Sequence, residues 1–496
     1  MLMKDSKERK VKVAVLDFGS SMIKLAIAER SVARDDNKAT GTSFRVIHLD
    51  SEPSEGAVQR GVVFNLSETS EKVHNLIARA ENDLGVSITN VYANISGQGL
   101  HSHLIRQGID FDKPHEITQD DILTLWENIH EADDKLFLNA DFAKFNVNGN
   151  AVQKPVGVKA LKLQVSIQTV ITNAFVADYV DEVLTSKLGL ETQPYLVGVV
   201  ELSKLALSPE QKRIGSALID FGAETTTVCY FNHGVLETLR VLPMGGSQIT
   251  YDLTALDISP EEAERVKITK GSLTLDTSDK EELIVKAPDM LTDKRISRYS
   301  VNQYIEARVH EIVDNIKAII TRAKGSNGDY KLPGGMVITG GGSRLNGIVP
   351  YLKEKFGSEL SVKQIETAFF SDLDNLELIN NPEFHNLYAM LFVATDDACK
   401  PIEVEDNEPS NQVAASSEEQ PSEPCLSSAN GEGFLPFEED DLKTITSEEP
   451  VRKKAKKSNS ERPNNKNNKK NWSLMSKFKD LFAMSDDEEL YSNDED

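Results

Sequence analysis

The sequence is short of cysteine, of basic residues and of long apolar runs, and each shortage argues against a class of protein. Cys229, Cys399 and Cys425 are its only cysteines, and no CxxC pair occurs. That argues against a disulfide framework and against structural zinc. No stretch of about 18 apolar residues occurs, so no helix is expected to cross a membrane. The opening MLMKDSKERK is charged and lacks an apolar segment, so no signal peptide is expected. Lysine and arginine number 55 against 79 acids over 496 residues, a formal charge of −24. Phosphate contacts need clustered Lys and Arg, so nucleic acid is not expected as a main partner. Hydrophobic residues, at 39%, are few enough to suggest that part of the chain does not fold.

The unfolded part is expected after Lys400. Residues 401–450 hold 14 acids and one base, and residues 451–470 hold nine bases and one acid. Neither stretch can bury enough apolar surface to offset backbone entropy, so 401–470 reads as a disordered linker. Beyond it, NWSLMSKFKDLFAM (471–484) has helical spacing. At about 100° per residue, Leu474, Met475, Phe478, Leu481 and Phe482 share one arc, with Lys477 and Lys479 on its flanks and Trp472 near one edge. An apolar stripe between snorkelling lysines is the pattern of an interfacial membrane helix, which anionic lipid and the basic stretch before it would favour. A short helix docking in a protein groove fits the same pattern. The end, DDEELYSNDED (486–496), is acidic.

Before the linker the pattern is α/β. Strands are expected at 11–18, 22–29, 91–96, 161–171, 216–221, 226–231, 234–242 and 335–341. Helices are expected at 67–85, with Val73, Leu76, Ile77, Ala80 and Leu84 on one face, at 173–189 and at 304–324.

A repeat stands out. DFGSSMIKLAI (17–27) and DFGAETTTVCY (220–230) lie 203 residues apart. Each reads as a strand, a tight glycine turn and a returning strand. The backbone N–H groups of such a turn can converge on a phosphate. Ser20, Ser21, Thr225 and Thr226 add hydroxyls. Asp17 and Asp220, at the strand ends, could hold a hydrated Mg²⁺ or orient a water. Either turn alone reads equally well as an ordinary hairpin; the repetition favours a paired role. A third glycine cluster, Gly340-Gly341-Gly342, follows the apolar strand of MVITGGGSRLNG (336–347) and precedes a helix. It is neither a Walker A loop nor a full GxGxxG. Glycines there permit close approach to a ligand, and a structural corner between strand and helix is the alternative.

Together these segments resemble the actin/Hsp70/sugar-kinase ATPase superfamily, and within it the FtsA family of bacterial cell-division proteins. The narrower resemblance lies in VYANISGQGLHSHLIRQGIDF (91–111) and in Gly245-Gly246, Ile249-Thr250, Asp252-Leu253 and Glu262-Ala263-Glu264-Arg265-Val266-Lys267. It runs from about residue 11 to 395. It implies a two-lobed actin-like body with an extra subdomain, a disordered tail and a terminal amphipathic helix. The implied divisions are an extension at 1–10, a first subdomain at 11–90, the extra subdomain at 91–163 and a second-lobe core at 164–249. An upper subdomain at 250–332 and a return to the core at 333–400 follow, then linker 401–470, helix 471–484 and acidic end 485–496.

The resemblance also implies residue roles. Gly19, Ser20, Ser21 and Lys24 would hold one side of the phosphates of ATP, and Gly222, Ala223, Glu224 and Thr225 the other, with Gly245 and Gly246 nearby. Glu264 and Lys267 would line the adenosine pocket opposite Gly340, Gly341, Gly342 and Arg344. Relatives often carry a Glu-Pro before the second hairpin, which YLVGVVELSKLALSPE (195–210) lacks, and Glu201 need not replace it. A nucleotide-gated switch, a slow ATPase at most, fits better than a fast enzyme.

The implied protein is a division adaptor on the inner face of the membrane at the division site. It would assemble into actin-like polymers, bind anionic lipid through its end and recruit later division proteins. It would also dock the C-terminal peptide of the tubulin-like FtsZ, with Arg295 and Arg298 as candidate contacts. An actin-like adaptor of another membrane assembly, such as a pilus machine, is the nearest competitor. A superfamily kinase would need a base for an acceptor hydroxyl, and none is identifiable. An Hsp70-like chaperone would need a β-rich substrate domain in place of the tail.

Overall fold

The computed structural model describes residues 9–32, 39–127, 134–152, 154–275, 277–289, 291–323, 332–365 and 376–401. The expectations for the linker, the terminal helix and the acidic end lie outside these residues.

A five-stranded sheet and five strands of a nine-stranded one share one topology. In the first the strand order is Glu191–Thr192, Asn90–Ala93, Arg9–Phe18, Met22–Val32, Ala39–Pro53. In the second it is Val362–Gln364, Met336–Thr339, Ser216–Phe221, Thr226–Asn232, Val235–Leu242. Each is an antiparallel three-stranded meander with two parallel strands added beside its first strand. The repeated Asp-Phe-Gly occupies the same corner of both sheets. This duplication is the two-lobed arrangement that the resemblance implies.

The strand sequences follow from this layering. Arg9–Phe18 buries Val11, Val13, Ala14, Val15, Leu16 and Phe18. A strand covered on both faces carries a continuous apolar run rather than an alternation. Helix Leu66–Leu84 covers the first sheet with Val73, Leu76, Ile77 and Ala80 buried. Asn65 caps its start by accepting from Ser67 and Glu68, and Gly85 ends it in the left-handed region at φ 62°.

Strands His101–Glu116, Lys135–Val147, Asn150–Val152 and Lys159–Asn173 form an additional β unit with helix Gln119–Glu127. It has its own core, including Ile117, Ile122, Leu125, Phe145, Leu163 and Ile167. It continues the second sheet through the single register pair His101↔Arg240. The strand Lys159–Asn173 runs unbroken across the division expected at 163/164, and Asn90–Ala93 belongs to the first sheet. The alternating burial of Lys159–Asn173 explains the difference: one apolar face serves this small core and then the main one.

The upper part of the second lobe is built by helices Gly246–Leu253, Pro260–Lys270 and Arg298–Ala323 and the hairpin of Glu282–Lys286 with Asp293–Ser297. The long helix begins six residues before the expected Tyr304, because Val301 and Asn302 already face the core. The chain then returns through helix His385–Val393, which lies against Gly198–Ala206 and the first sheet.

Arg30 fixes the end of that returning helix. It is buried, and its Nη1 donates to the carbonyls of Leu391, Phe392 and Ala394 at 3.0, 2.7 and 2.6 Å. These are carbonyls that a helix end leaves without intrahelical partners, and a cation is favourable there. Arg30→Ala is expected to destabilise the body by about 2–3 kcal/mol, read as a lowered urea midpoint with unchanged slope.

Candidate functional site

The two Asp-Phe-Gly turns close in the same way. The Gly19 N–H donates to Met22 O at 3.1 Å, and the Gly222 N–H to Thr225 O at 2.8 Å. Asp17 pairs in register with Lys24, and Asp220 with Thr227. Lys24 Nζ lies 3.3 Å from Asp17 Oδ2, both side chains about one-tenth exposed. Ser54 steadies the first turn: its N–H donates to Ser21 O at 2.8 Å and its hydroxyl to Gly19 O at 2.6 Å.

The two carboxylates meet one floor. Asn94 Nδ2 donates to Asp17 Oδ1 at 2.7 Å, while Asn94 Oδ1 accepts the Gly198 N–H at 2.9 Å. Asn386 Nδ2 donates to Asp220 Oδ2 at 2.8 Å. Asn94 follows the parallel strand of the first sheet, and Asn386 opens the returning helix. Burial pushes the Asp220 carboxyl above the usual carboxylate range; the Asn386 hydrogen bond opposes this, the Asp17 carboxylate adds to it, and Lys24 offsets part. Both asparagines pack at Gly198, where a Cβ would lie 3.0 Å from Asn386 Cβ and 3.3 Å from Asn94 Oδ1.

The glycine cluster closes the second side. Gly340 follows Thr339, which pairs with Asp220, and has φ 80°. A Cβ there would overlap Asp220 Oδ1 and lie 2.5 Å from Phe221 O, so this position requires glycine. Gly341 to Arg344 form a 3₁₀ turn, and the α-helix begins only at Ile348. The expected helix immediately after the glycines is thus displaced by one turn. Arg344 is exposed, 3.6 Å from Glu383.

Gly245 and Gly246 sit on the second turn. The Gly246 N–H donates to Gly222 O at 3.0 Å, and the Ser247 N–H to Ala223 O at 2.7 Å. Lys267 Nζ reaches Gly246 O at 3.0 Å, Thr250 Oγ1 at 2.8 Å and Glu264 Oε2 at 2.6 Å. Glu264 and Lys267 thus join the glycine pair in one polar cluster beside the turn.

Asp17, Lys24, Asp220 and the two turns are brought together, with Gly340 and Gly245-Gly246 against the second turn. Arg295 and Arg298 belong to a separate surface, paired with Glu282 at 3.4 Å and with Asp279 and Glu281 at 2.6 and 2.7 Å. Glu201 is buried and held by Lys204 at 3.0 Å. The sequence reading missed Ser54, Arg60, Asn94 and Asn386. Asn94 lies inside a quoted strand, but nothing local marks Asn386, whose role depends on the chain's return from 166 residues away.

The donor set fits a polyphosphate with a hydrated cation. Glycine turns leave backbone room, Lys24 supplies positive charge, and the buried Asn386 Oδ1 has no protein hydrogen-bond partner. Among the described residues no three His, Cys, Asp or Glu side chains converge on a metal position. Any cation is therefore expected to be held by Asp17 and Asp220 through water.

Two outcomes check this geometry. Gly340→Ala is expected to lower stability by roughly 2 kcal/mol or more, through the left-handed φ and the displaced Asp220, measured by thermal unfolding. The raised carboxyl of Asp220 means that its charged form costs folding free energy. That cost is complete above the folded value and vanishes below the ordinary 3.8. Asp220→Asn is accordingly expected to raise the melting temperature of the nucleotide-free chain at neutral pH, with the gain shrinking as pH falls toward 3.8.

Residues 217–389 match the family model of cell division protein FtsA. The chain is 26% identical over 356 residues to the cell division protein FtsA of Porphyromonas gingivalis, covering 71% of this chain and 72% of the relative. It is 27% identical over 389 residues to that of Neisseria meningitidis, covering 77% and 90%, and 26% identical over 354 residues to that of Bacillus subtilis, covering 70% and 77%. A solved PilM-PilN type IV pilus biogenesis complex shares the fold, with a TM-score of 0.51 at 17% identity, covering 77% of this chain and 98% of that one. With its duplicated sheets and paired Asp-Phe-Gly turns, the body of this chain is similar in sequence to the FtsA cell-division proteins and shares the fold of the solved pilus complex.

Proposed function

We propose that the chain is an ATP-binding, actin-like division adaptor whose cleft grips the nucleotide from both lobes. The observation that carries this reading is the pair of turns at the same corner of both sheets, with Asn94 on Asp17 and Asn386 on Asp220 packed together at Gly198. Backbone N–H groups of Ser20 and Ser21, beside Gly19, on one side, and of Ala223, Glu224 and Thr225, beside Gly222, on the other, would hold the phosphates, with Lys24 as counter-charge. Glu264 and Lys267 would face the adenosine, with Gly340, Gly341, Gly342 and Arg344 opposite. Mg²⁺, when bound, would neutralise phosphate charge, held through water by Asp17 and Asp220.

Nothing in the arrangement supplies an obvious strong base for water. Glu201 is committed to Lys204, which supports a slow ATPase acting as a switch. Self-association into actin-like polymers would multiply weak membrane anchors into avid binding. The stripe Leu474, Met475, Phe478, Leu481 and Phe482, with Trp472, Lys477 and Lys479, would insert at the anionic inner face of the membrane. The upper second lobe would dock the FtsZ C-terminal peptide. Arg295, the more exposed of the two arginines, and Arg298 would exchange their present acidic partners for those of the peptide. Later division proteins would be recruited to the same assembly.

The test is co-sedimentation with anionic vesicles, with and without ATP, comparing the full chain with one ending at Asn471. Binding promoted by ATP and lost on truncation is expected. If the two chains bind alike, or both stay in solution at low salt, the membrane-adaptor reading fails.

A further inference from the structure

Glu224 behaves unlike its neighbours in the second turn. Gly222 and Ala223 present their carbonyls to Gly246 and Ser247 of their own lobe. The Glu224 side chain reaches the first lobe, where its Oε2 accepts the backbone N–H of Arg60 at 2.5 Å. The next N–H, that of Gly61, donates to Ser20 Oγ in the first turn at 2.8 Å. Two consecutive backbone donors of one loop thus serve both turns.

That loop is firmly held. Arg60 and Gly61 have φ of 49° and 75°. Gly61 packs on Gly97 so closely that a Cβ on Gly61 would lie 2.6 Å from Gly97 Cα. The Gln98 N–H donates to Arg60 O at 2.9 Å, and Arg60 Nη1 donates to Gln98 Oε1 at 3.1 Å. Arg60 and Gly61 are the two central residues of the turn between Val58–Gln59 and Val62–Val63, and both donate their N–H groups outside it, to the anionic side chain of Glu224 and to the Ser20 hydroxyl.

We propose that the Arg60–Gly61 backbone is a further phosphate-recognition element and that Glu224 is its built-in competitor, setting the preference of the cleft between nucleoside triphosphate and diphosphate. The proposal rests on the nucleotide reading above and deepens it. A terminal phosphate lying between the two turns would meet the Glu224 carboxylate as a like charge contending for the same donors, and a diphosphate would stop short of it. Glu224 therefore opposes the triphosphate selectively, and its displacement from Arg60 accompanies triphosphate binding.

The experiment is calorimetric titration of the full chain and of Glu224→Gln with Mg²⁺ and either AMP-PNP or ADP. The substitution keeps the length and one acceptor oxygen and removes the charge. The expected result is an AMP-PNP dissociation constant at least about fivefold lower in Glu224→Gln, with that for ADP within about twofold. The retained ADP binding also reports that the variant is folded. If the unsubstituted chain binds both nucleotides and the substitution leaves their ratio unchanged, the competitor role is overturned and the nucleotide reading survives. If the unsubstituted chain binds neither nucleotide, both fall.

Discussion

Two aspartates stand at the same corner of the two sheets, each held by an asparagine, and much of the body is arranged around keeping them there. Asp17 is nearly buried and held by Lys24 and Asn94. Asp220 accepts from a neutral amide, that of Asn386, and burial raises its pKa. With Lys24 paired to Asp17, the two carboxylates are under-neutralised among the described residues, which is a reason for the site to welcome a hydrated cation and an anion that it carries. The asparagines sit at equivalent strategic points: one ends a strand of the first lobe, and the other begins the helix that returns the chain. Arg30 binds the last carbonyls at the far end of that helix.

Duplication explains the scaffold, and asymmetry explains the site. Both sheets place an Asp at the end of the meander's first strand and a glycine turn after it. In the second lobe Gly340 follows the neighbouring strand, because no Cβ fits beside Asp220. In the first lobe the register Leu16↔Ala93 puts Asn94 opposite Asp17, where the second lobe has Thr339 opposite Asp220, and the Asn94 side chain hydrogen-bonds Asp17. One half of the duplicated unit thus carries its own polar partner. The other leaves its partner to a distant helix, where small shifts between the lobes can be felt.

Local chemistry was legible in the sequence, and long-range closure was not. The apolar run of Arg9–Phe18, the periodic face of Leu66–Leu84 and the repeated Asp-Phe-Gly are short-range patterns, and the structure shows each where the residues imply it. The continuous strand Lys159–Asn173 was cut too early, because its burial serves two cores in succession. Asn386 carries no signal of its own, since its importance depends on contact with a residue 166 positions away. Arg60 was invisible for another reason: its backbone N–H, not its side chain, makes the contact with Glu224. The glycine cluster reads in the sequence as room for a ligand or as a structural corner, and the neighbours that Gly340 accommodates in the structure are Asp220 and the Phe221 backbone.

The central claim is that one nucleotide is held by both turns at once. Amide hydrogen exchange of the full chain, with and without Mg²⁺ and AMP-PNP, tests it most directly. Slowed exchange is expected together at residues 19–21 and 222–225. Slowing in only one of the two turns, or in neither, would contradict it.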